Sequence, residues 1–114
     1  MFKHKGYNSR IKILKMSSRV YELLRKVPKG KVTTYLELAK PLNLHPRTIG
    51  MLMRKNKDPV NIPCYKVVRS DGSLGGYSGK GGIRTKIRLL REDGIEVRKG
   101  KVNLKRYLYT FSKP

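Results

Sequence analysis

The 114-residue sequence has one cysteine, no tryptophan, two histidines and only seven acidic residues. A lone Cys64 excludes an internal disulfide, and without a Cys/His cluster no zinc site or other metal centre is expected. No apolar run approaches the length of a membrane span, and residues 1–15 are basic without the apolar block of a secretory leader. The chain therefore reads as soluble and intracellular, cytoplasmic or, in a eukaryote, nuclear. The scarcity of acids says most, because 28 Lys and Arg face those seven, a formal net charge of +21. A compact domain so charged repels itself unless something anionic is close. Nucleic acid is the commonest such partner. The basic residues are spread along the chain and not gathered on one amphipathic stripe, which disfavours an anionic membrane as the partner. Adaptation to heat would add Glu together with Lys, and Glu is not abundant here.

The apolar content, 38% of residues, suits one small domain with one modest core. Residues 1–16 read as a basic N-terminal arm, partly a strand through Ile11, Ile13 and Leu14, and residues 17–114 as the domain proper. Ser18 is placed to cap a helix to about Val27, with Val20, Leu23, Leu24 and Val27 on one face and Pro28 and Gly30 as its stop. Thr34 and Glu37 have capping-box spacing, so a short helix starts near Tyr35 and ends at Pro41. After a tight Asn43-Leu44-His45 connection, Pro46 opens a helix to about Lys55 whose apolar face is Ile49, Leu52 and Met53. Two short helices across a tight turn, the second rich in basic residues, read as helix-turn-helix, although many αα-hairpins share the pattern and bind nothing.

Val67 and Val68 read as a short strand, and Asp71-Gly72 as a two-residue hairpin returning through Ser73 and Leu74. A glycine-rich loop over residues 75–82 follows, without the Walker pattern. Residues 83–93 form the closing helix, with Ile83, Ile87 and Leu90 aligned and Gly94 as its stop; the tail adds a strand or short helix. The expected fold class is α+β, a small winged-helix-like domain with a helix-turn-helix, a short β-hairpin and a closing helix.

Several stretches resemble one family. Ile62-Pro63-Cys64-Tyr65-Lys66-Val67-Val68 is similar to the P-C-H-R-V active-site motif of the O6-alkylguanine-DNA alkyltransferases. In the family's order around it stand Thr34-Tyr35-Leu36-Glu37-Leu38-Ala39, Arg47-Thr48-Ile49-Gly50, Met53-Arg54-Lys55-Asn56, Gly76-Tyr77-Ser78-Gly79 and Leu89-Leu90-Arg91-Glu92-Asp93-Gly94. The resemblance covers residues 17–94, the family's DNA-binding and active-site domain, and not its N-terminal domain.

The resemblance implies repair of double-stranded DNA containing O6-alkylguanine by a monomer, without cofactor or metal: the base is flipped out and its alkyl group passes irreversibly to Cys64. Flipping is physically required, since O6 is out of reach within a stacked pair. The thiolate is the nucleophile. Cys64, Tyr65, Asp93 and Tyr35 would be catalytic. Tyr35, Met53, Cys64, Val67, Tyr77 and Ser78 would hold the base, with the carbonyls of Cys64 and Val67 meeting its amino group. Arg47 would fill the gap in the duplex, alongside Thr48, Gly50, Met51, Arg54 and Lys55 as further DNA contacts. Asn56 would tie the recognition helix to the active-site loop.

The chain also departs from the family. Tyr65 stands where the family has His and Asp93 where it has Glu. A phenol, with its ordinary pKa near 10, is a poor base at neutral pH, but can accept from a water while donating to Asp93. Lys66 replaces Arg, Lys80 replaces Gly, and Met51 and Leu52 replace small residues. Two other functions remain open: a non-catalytic alkyltransferase-like damage sensor, disfavoured by Cys64, and a winged-helix regulator.

Overall fold

The structure, a computed structural model, describes the backbone of residues 5–111 and the side chains from residue 11 onward. Its elements are α1 (Lys5–Arg25), β1 (Thr33–Thr34), α2 (Tyr35–Ala39), α3 (Pro46–Arg54), β2 (Val67–Val68), α4 (Gly82–Glu92), β3 (Val97–Arg98), β4 (Lys101–Val102) and α5 (Leu104–Tyr107), with 3₁₀ turns at Lys40–Leu42 and Cys64–Lys66. This is the expected α+β, winged-helix-like domain. Among the described residues no helix is long and apolar enough to cross a membrane.

α1 starts well before Ser18, and the strand expected through Ile11, Ile13 and Leu14 is helical instead. The reason is packing. Ile13, Met16, Val20, Leu23 and Leu24 recur at helical spacing and face the core, with Val20 and Leu24 fully buried, while Leu14 points to solvent at 63% exposure. The alternation of Ile11 with Ile13 was a coincidence of the same stripe. Pro28 and Gly30, the latter at φ +83°, then turn the chain away.

The helix-turn-helix forms as its caps require. Thr34 Oγ1 accepts from the Glu37 amide at 3.0 Å, and α2 ends in a 3₁₀ turn at Pro41. Asn43 takes the left-handed conformation at φ +54°. At the head of α3, Pro46 holds the first helical position and His45 Nδ1 accepts from the Arg47 amide at 3.0 Å. Ile49, Leu52 and Met53 bury the apolar face, and Tyr21 of α1 donates its hydroxyl to the Leu52 carbonyl, clamping α3 to α1.

The expected hairpin is displaced. The Asp71-Gly72 turn exists, closed by Arg69 N–H to the Ser73 carbonyl at 2.8 Å. However, β2 pairs in parallel with β1, Thr33 opposite Val67 and Thr34 opposite Val68, and the return segment lies against β4 through a Ser73–Lys101 bridge. Both valines are fully buried, as befits a strand covered on both faces. The true hairpin joins β3 to β4 through Lys99 and Gly100, both at positive φ (+52° and +73°). That is the pair of left-handed residues a two-residue turn of the primed type needs.

Two apolar clusters result. One gathers α1, α2, α3 and Cys64; the other gathers Val32, Val68, Leu74, Leu90, Ile95, Val97, Val102 and Tyr107. The 3₁₀ turn at Cys64–Lys66 lies at their junction, Cys64 packing in the first and Tyr65 against the second. α4 differs from expectation on its inner face: Leu90 is buried, but Ile83 is 42% exposed, and the fully buried side chain between them is Lys86.

Candidate active site

A pocket of about 710 Å³ opens beside Cys64. α2 contributes Tyr35 and Leu36, and α3 contributes Pro46, Arg47, Gly50 and Arg54 from outside its buried stripe and Met53 from the stripe itself. Arg69 and Ser70 form one rim and residues 75–78 the other. Cys64 is 5% exposed, yet it lines this pocket opposite the second helix of the helix-turn-helix. An internal thiol with no opening to that helix would have excluded chemistry at this atom.

The pocket polarises its tyrosines. Burial, first, and the nearby Cys64 push Tyr35 above its ordinary value, while Arg69 and Arg54 pull it down. Its hydroxyl thus sits among the one sulfur and two cations. Tyr77 is likewise raised, by burial and then by Cys64. Both phenols are therefore hydrogen-bond donors at neutral pH.

Two ties hold the irregular parts of the wall. Ser78 donates its hydroxyl to the Met53 carbonyl at 3.2 Å, joining the glycine-rich loop to α3. Asn56, buried just past α3, donates its amide to the Ile62 carbonyl at 3.0 Å and accepts from the Asp58 amide at 2.9 Å. Asn56 thus links the end of α3 to the segment that enters the Cys64 turn, and the Cys64 amide then closes on the Ile62 carbonyl at 2.7 Å. Gly75 is needed where it stands: it has φ +70°, and a Cβ would lie 3.0 Å from the Tyr35 hydroxyl.

Behind the cysteine the arrangement is different. Lys66 Nζ meets Asp93 Oδ2 at 2.8 Å, both side chains under a tenth exposed. Lys66 also donates to the Pro28 carbonyl at 2.9 Å, and Asp93 Oδ2 accepts from the Gly30 amide at 3.1 Å. The pair joins the α1–β1 connection, the cysteine turn and the end of α4. Tyr65 lies beside it, with Lys66 Nζ 5.7 Å from its ring centre. Burial, then the Asp93 charge and a hydrogen bond with that carboxylate, push the Tyr65 phenol up to about 12.

Of the expected site residues, the pocket brings together Cys64, Tyr35, Met53, Tyr77, Ser78, Arg47, Gly50 and Arg54. Tyr65 and Asp93 meet each other on the far side of Cys64 and do not line the pocket. Thr48, Met51, Lys55 and Val67 are outside it as well, and the Val67 carbonyl expected to meet the base accepts from Lys86 at 2.7 Å instead. Met51 is half-buried and packs on the core, so it is not a free groove-facing residue. Arg69, Ser70 and Leu36 were not anticipated; no local pattern singles them out. Lys86 had a signal that went unread, a lysine three residues after Ile83 and four before Leu90, inside the inward stripe.

Comparison with known proteins gives consistent likenesses. Residues 15–95 match the family model described as 6-O-methylguanine DNA methyltransferase, DNA binding domain. A bifunctional methyltransferase/endonuclease of Picrophilus torridus is 52% identical over 94 residues, 81% of this chain and 31% of that protein. A methylated-DNA–protein-cysteine methyltransferase of Pyrobaculum aerophilum is 45% identical over 84 residues, 74% of this chain and 55% of that protein. The chain therefore spans about half or less of the length of these two relatives. Among solved structures, S. pombe Atl1 in complex with damaged DNA containing O6-carboxymethylguanine superposes with a TM-score of 0.75 at 26% identity, covering 88% of this chain and 96% of that one.

Proposed function

The chain belongs to the 6-O-methylguanine DNA methyltransferase family by its DNA-binding domain, and from that premise we propose that it repairs O6-alkylguanine in double-stranded DNA by taking the alkyl group onto Cys64. The observation that carries this is the placement of Cys64 in a pocket walled by Tyr35 and by the basic face of α3. At about 710 Å³ it is of a size that holds a small ligand.

The duplex docks against the exposed face of α3, where Arg47 enters the stack as the base leaves it. Arg54 is exposed on the same face, and Lys55 just past its end, to meet phosphate. Thr48 and Gly50 complete the helix surface near the groove, while Met51 packs inward. In the pocket the sulfur, as thiolate, forms a bond to the alkyl carbon while that carbon's bond to O6 breaks. The electron pair goes to the guanine, which the Tyr35 hydroxyl helps neutralise. Ser78 and Tyr77 flank O6, Met53 borders the alkyl group, and the carbonyl of Cys64 faces the amino group, the Val67 carbonyl being taken by Lys86. The product is a thioether, so each molecule reacts once and no cofactor takes part.

Tyr65 cannot act as a base near neutrality, because its phenol holds its proton to about 12. It serves as a conduit, accepting from a water that takes the thiol proton and donating to Asp93. Asn56 holds α3 and the cysteine segment in register.

One experiment tests the whole. Duplex DNA bearing O6-methylguanine is incubated with the protein and the Cys64 peptide is weighed. A gain of one methyl group, absent in Cys64→Ala, is expected; an unmodified peptide overturns transfer. A second outcome has its own support in the likeness to Atl1 and in Tyr65 standing where the family has His: tight binding to damaged duplex with no mass gain would make the chain a damage sensor. No preference for damage would leave only a winged-helix DNA-binding protein.

A further inference from the structure

Lys86 is fully buried on α4, and no acid lies against it. Its ammonium donates to three main-chain carbonyls: Val67 of β2 at 2.7 Å, Leu74, and Gly76 at 2.9 Å. A buried charge is tolerated only when it is fully hydrogen-bonded. Here three protons meet three acceptors, whereas the neutral amine would bring only two. Leu74 and Gly76 bracket Gly75, the residue pressed against the Tyr35 hydroxyl. Residues 74–78 belong to no strand or helix, so nothing in a ladder or helix holds this rim of the pocket. Its other side-chain hydrogen bond among the described residues is Ser78–Met53, and Leu74 and Tyr77 pack on the two apolar clusters.

We infer that Lys86 is a positioning residue that fastens the glycine-rich rim of the pocket to β2, and so sets the shape in which the pocket receives a base. Its importance for repair rests on the alkyl-transfer reading above; the fastening itself does not.

The charge state of Lys86 gives a handle. Burial pulls it from its ordinary 10.5 down to about 8, with Cys64 opposing that shift and Arg69 adding to it. The other groups around the rim, Tyr35 and Tyr77, are raised and stay neutral through this range. Losing the proton removes one donor, and one of the three carbonyls is released.

The test is an NMR titration of the full chain from about pH 6.5 to 9.5, bracketing the lowered Lys86 value of about 8, run on the wild type and on Cys64→Ser, which lacks the thiol. The Lys86 side-chain resonances and the Gly75, Gly76 and Tyr77 amides should titrate together in both. The shifts of those amides report the release of the neighbouring carbonyl, whose hydrogen bond to Lys86 polarises the peptide group. Amides that ignore the Lys86 titration overturn the inference. Lys86→Met provides a second arm. The half-saturating concentration for free O6-benzylguanine should rise about tenfold and lose its change near pH 8, while the saturated rate changes less. A folded Lys86→Met with wild-type half-saturation and pH profile overturns the inference too. Should that variant not fold, the wild-type titration decides alone. A wild type that accepts no alkyl group overturns the functional reading, and the amide titration still decides the fastening.

Discussion

On the pocket side of Cys64 the cations Arg47, Arg54 and Arg69 are exposed, whereas on the packing side Lys66 and Lys86 are buried. Exposed arginines lose little by remaining unpaired, since water solvates them, and they are free to meet phosphate. Buried lysines must be satisfied internally: Lys66 by Asp93 and the Pro28 carbonyl, Lys86 by three carbonyls. The same charge therefore does two jobs. Outside, it leaves the surface open to an anionic partner such as the proposed duplex; inside, it gathers backbone segments that the two-residue strands are too short to hold.

Breaking the inner side should give the largest effect. Lys66→Met leaves Asp93 buried without its cation and should lower unfolding stability by about 3–5 kcal/mol, measured by urea denaturation. Its salt dependence of DNA binding should be unchanged, because Lys66 meets no phosphate. A stable Lys66→Met would show that the ion pair is not structural.

The outer side should respond in function and not in stability. Arg47→Ala should slow repair of duplex about tenfold, since unstacking a base takes a few kcal/mol and the arginine offsets part of it. Reaction with free O6-benzylguanine should be nearly untouched, so equal losses on both substrates would remove Arg47 from the stack. Arg69→Gln sharpens the contrast further. It should change stability by less than about 0.5 kcal/mol, while the slope of log affinity against log salt falls by about 0.9, one phosphate contact. An unaltered slope would place that rim off the DNA.

The smallest effect is expected at high pH. The Tyr65 phenol is raised in the fold from 10 to about 12, so the native state keeps a proton that the unfolded chain gives up. Its contribution is complete below about pH 10 and is lost as pH rises through 12. Wild type should lose slightly more stability than Tyr65→Phe over that interval, with the phenolate seen by ultraviolet absorption. A Tyr65 that ionises near 10 would contradict its contact with Asp93.

The caps and apolar stripes of α2 and α3 were legible because they are local: Thr34, Pro46, Ile49 and Leu52 each act within a few residues of themselves. The pocket residues on those helices were legible through resemblance, and the structure gathers most of them around Cys64. What was not legible is long-range. Pairing of β2 with β1, more than thirty residues earlier, leaves no period in the sequence. Asp71-Gly72 signalled a turn correctly, but a turn does not say which strand receives the chain after it. Lys99-Gly100, a weaker signal on paper, carries the real hairpin because β3 and β4 bury Val97 and Val102 behind it. At α1, two isoleucines suggested alternation where the longer stripe from Ile13 to Leu24 decides for helix. Lys86 was hidden by its own chemistry, since a lysine in an apolar stripe looks like an interruption and not a member.

Because Lys86 grips carbonyls and not side chains, the rim is held by atoms that every amino acid possesses. Gly76 shows what that permits: it borders the cavity, and a Cβ built on it meets nothing within 4 Å. A new side chain at this position would stand at the entrance while its carbonyl stayed anchored, so the breadth of accepted adducts becomes a trait that single substitutions can tune without remaking the scaffold.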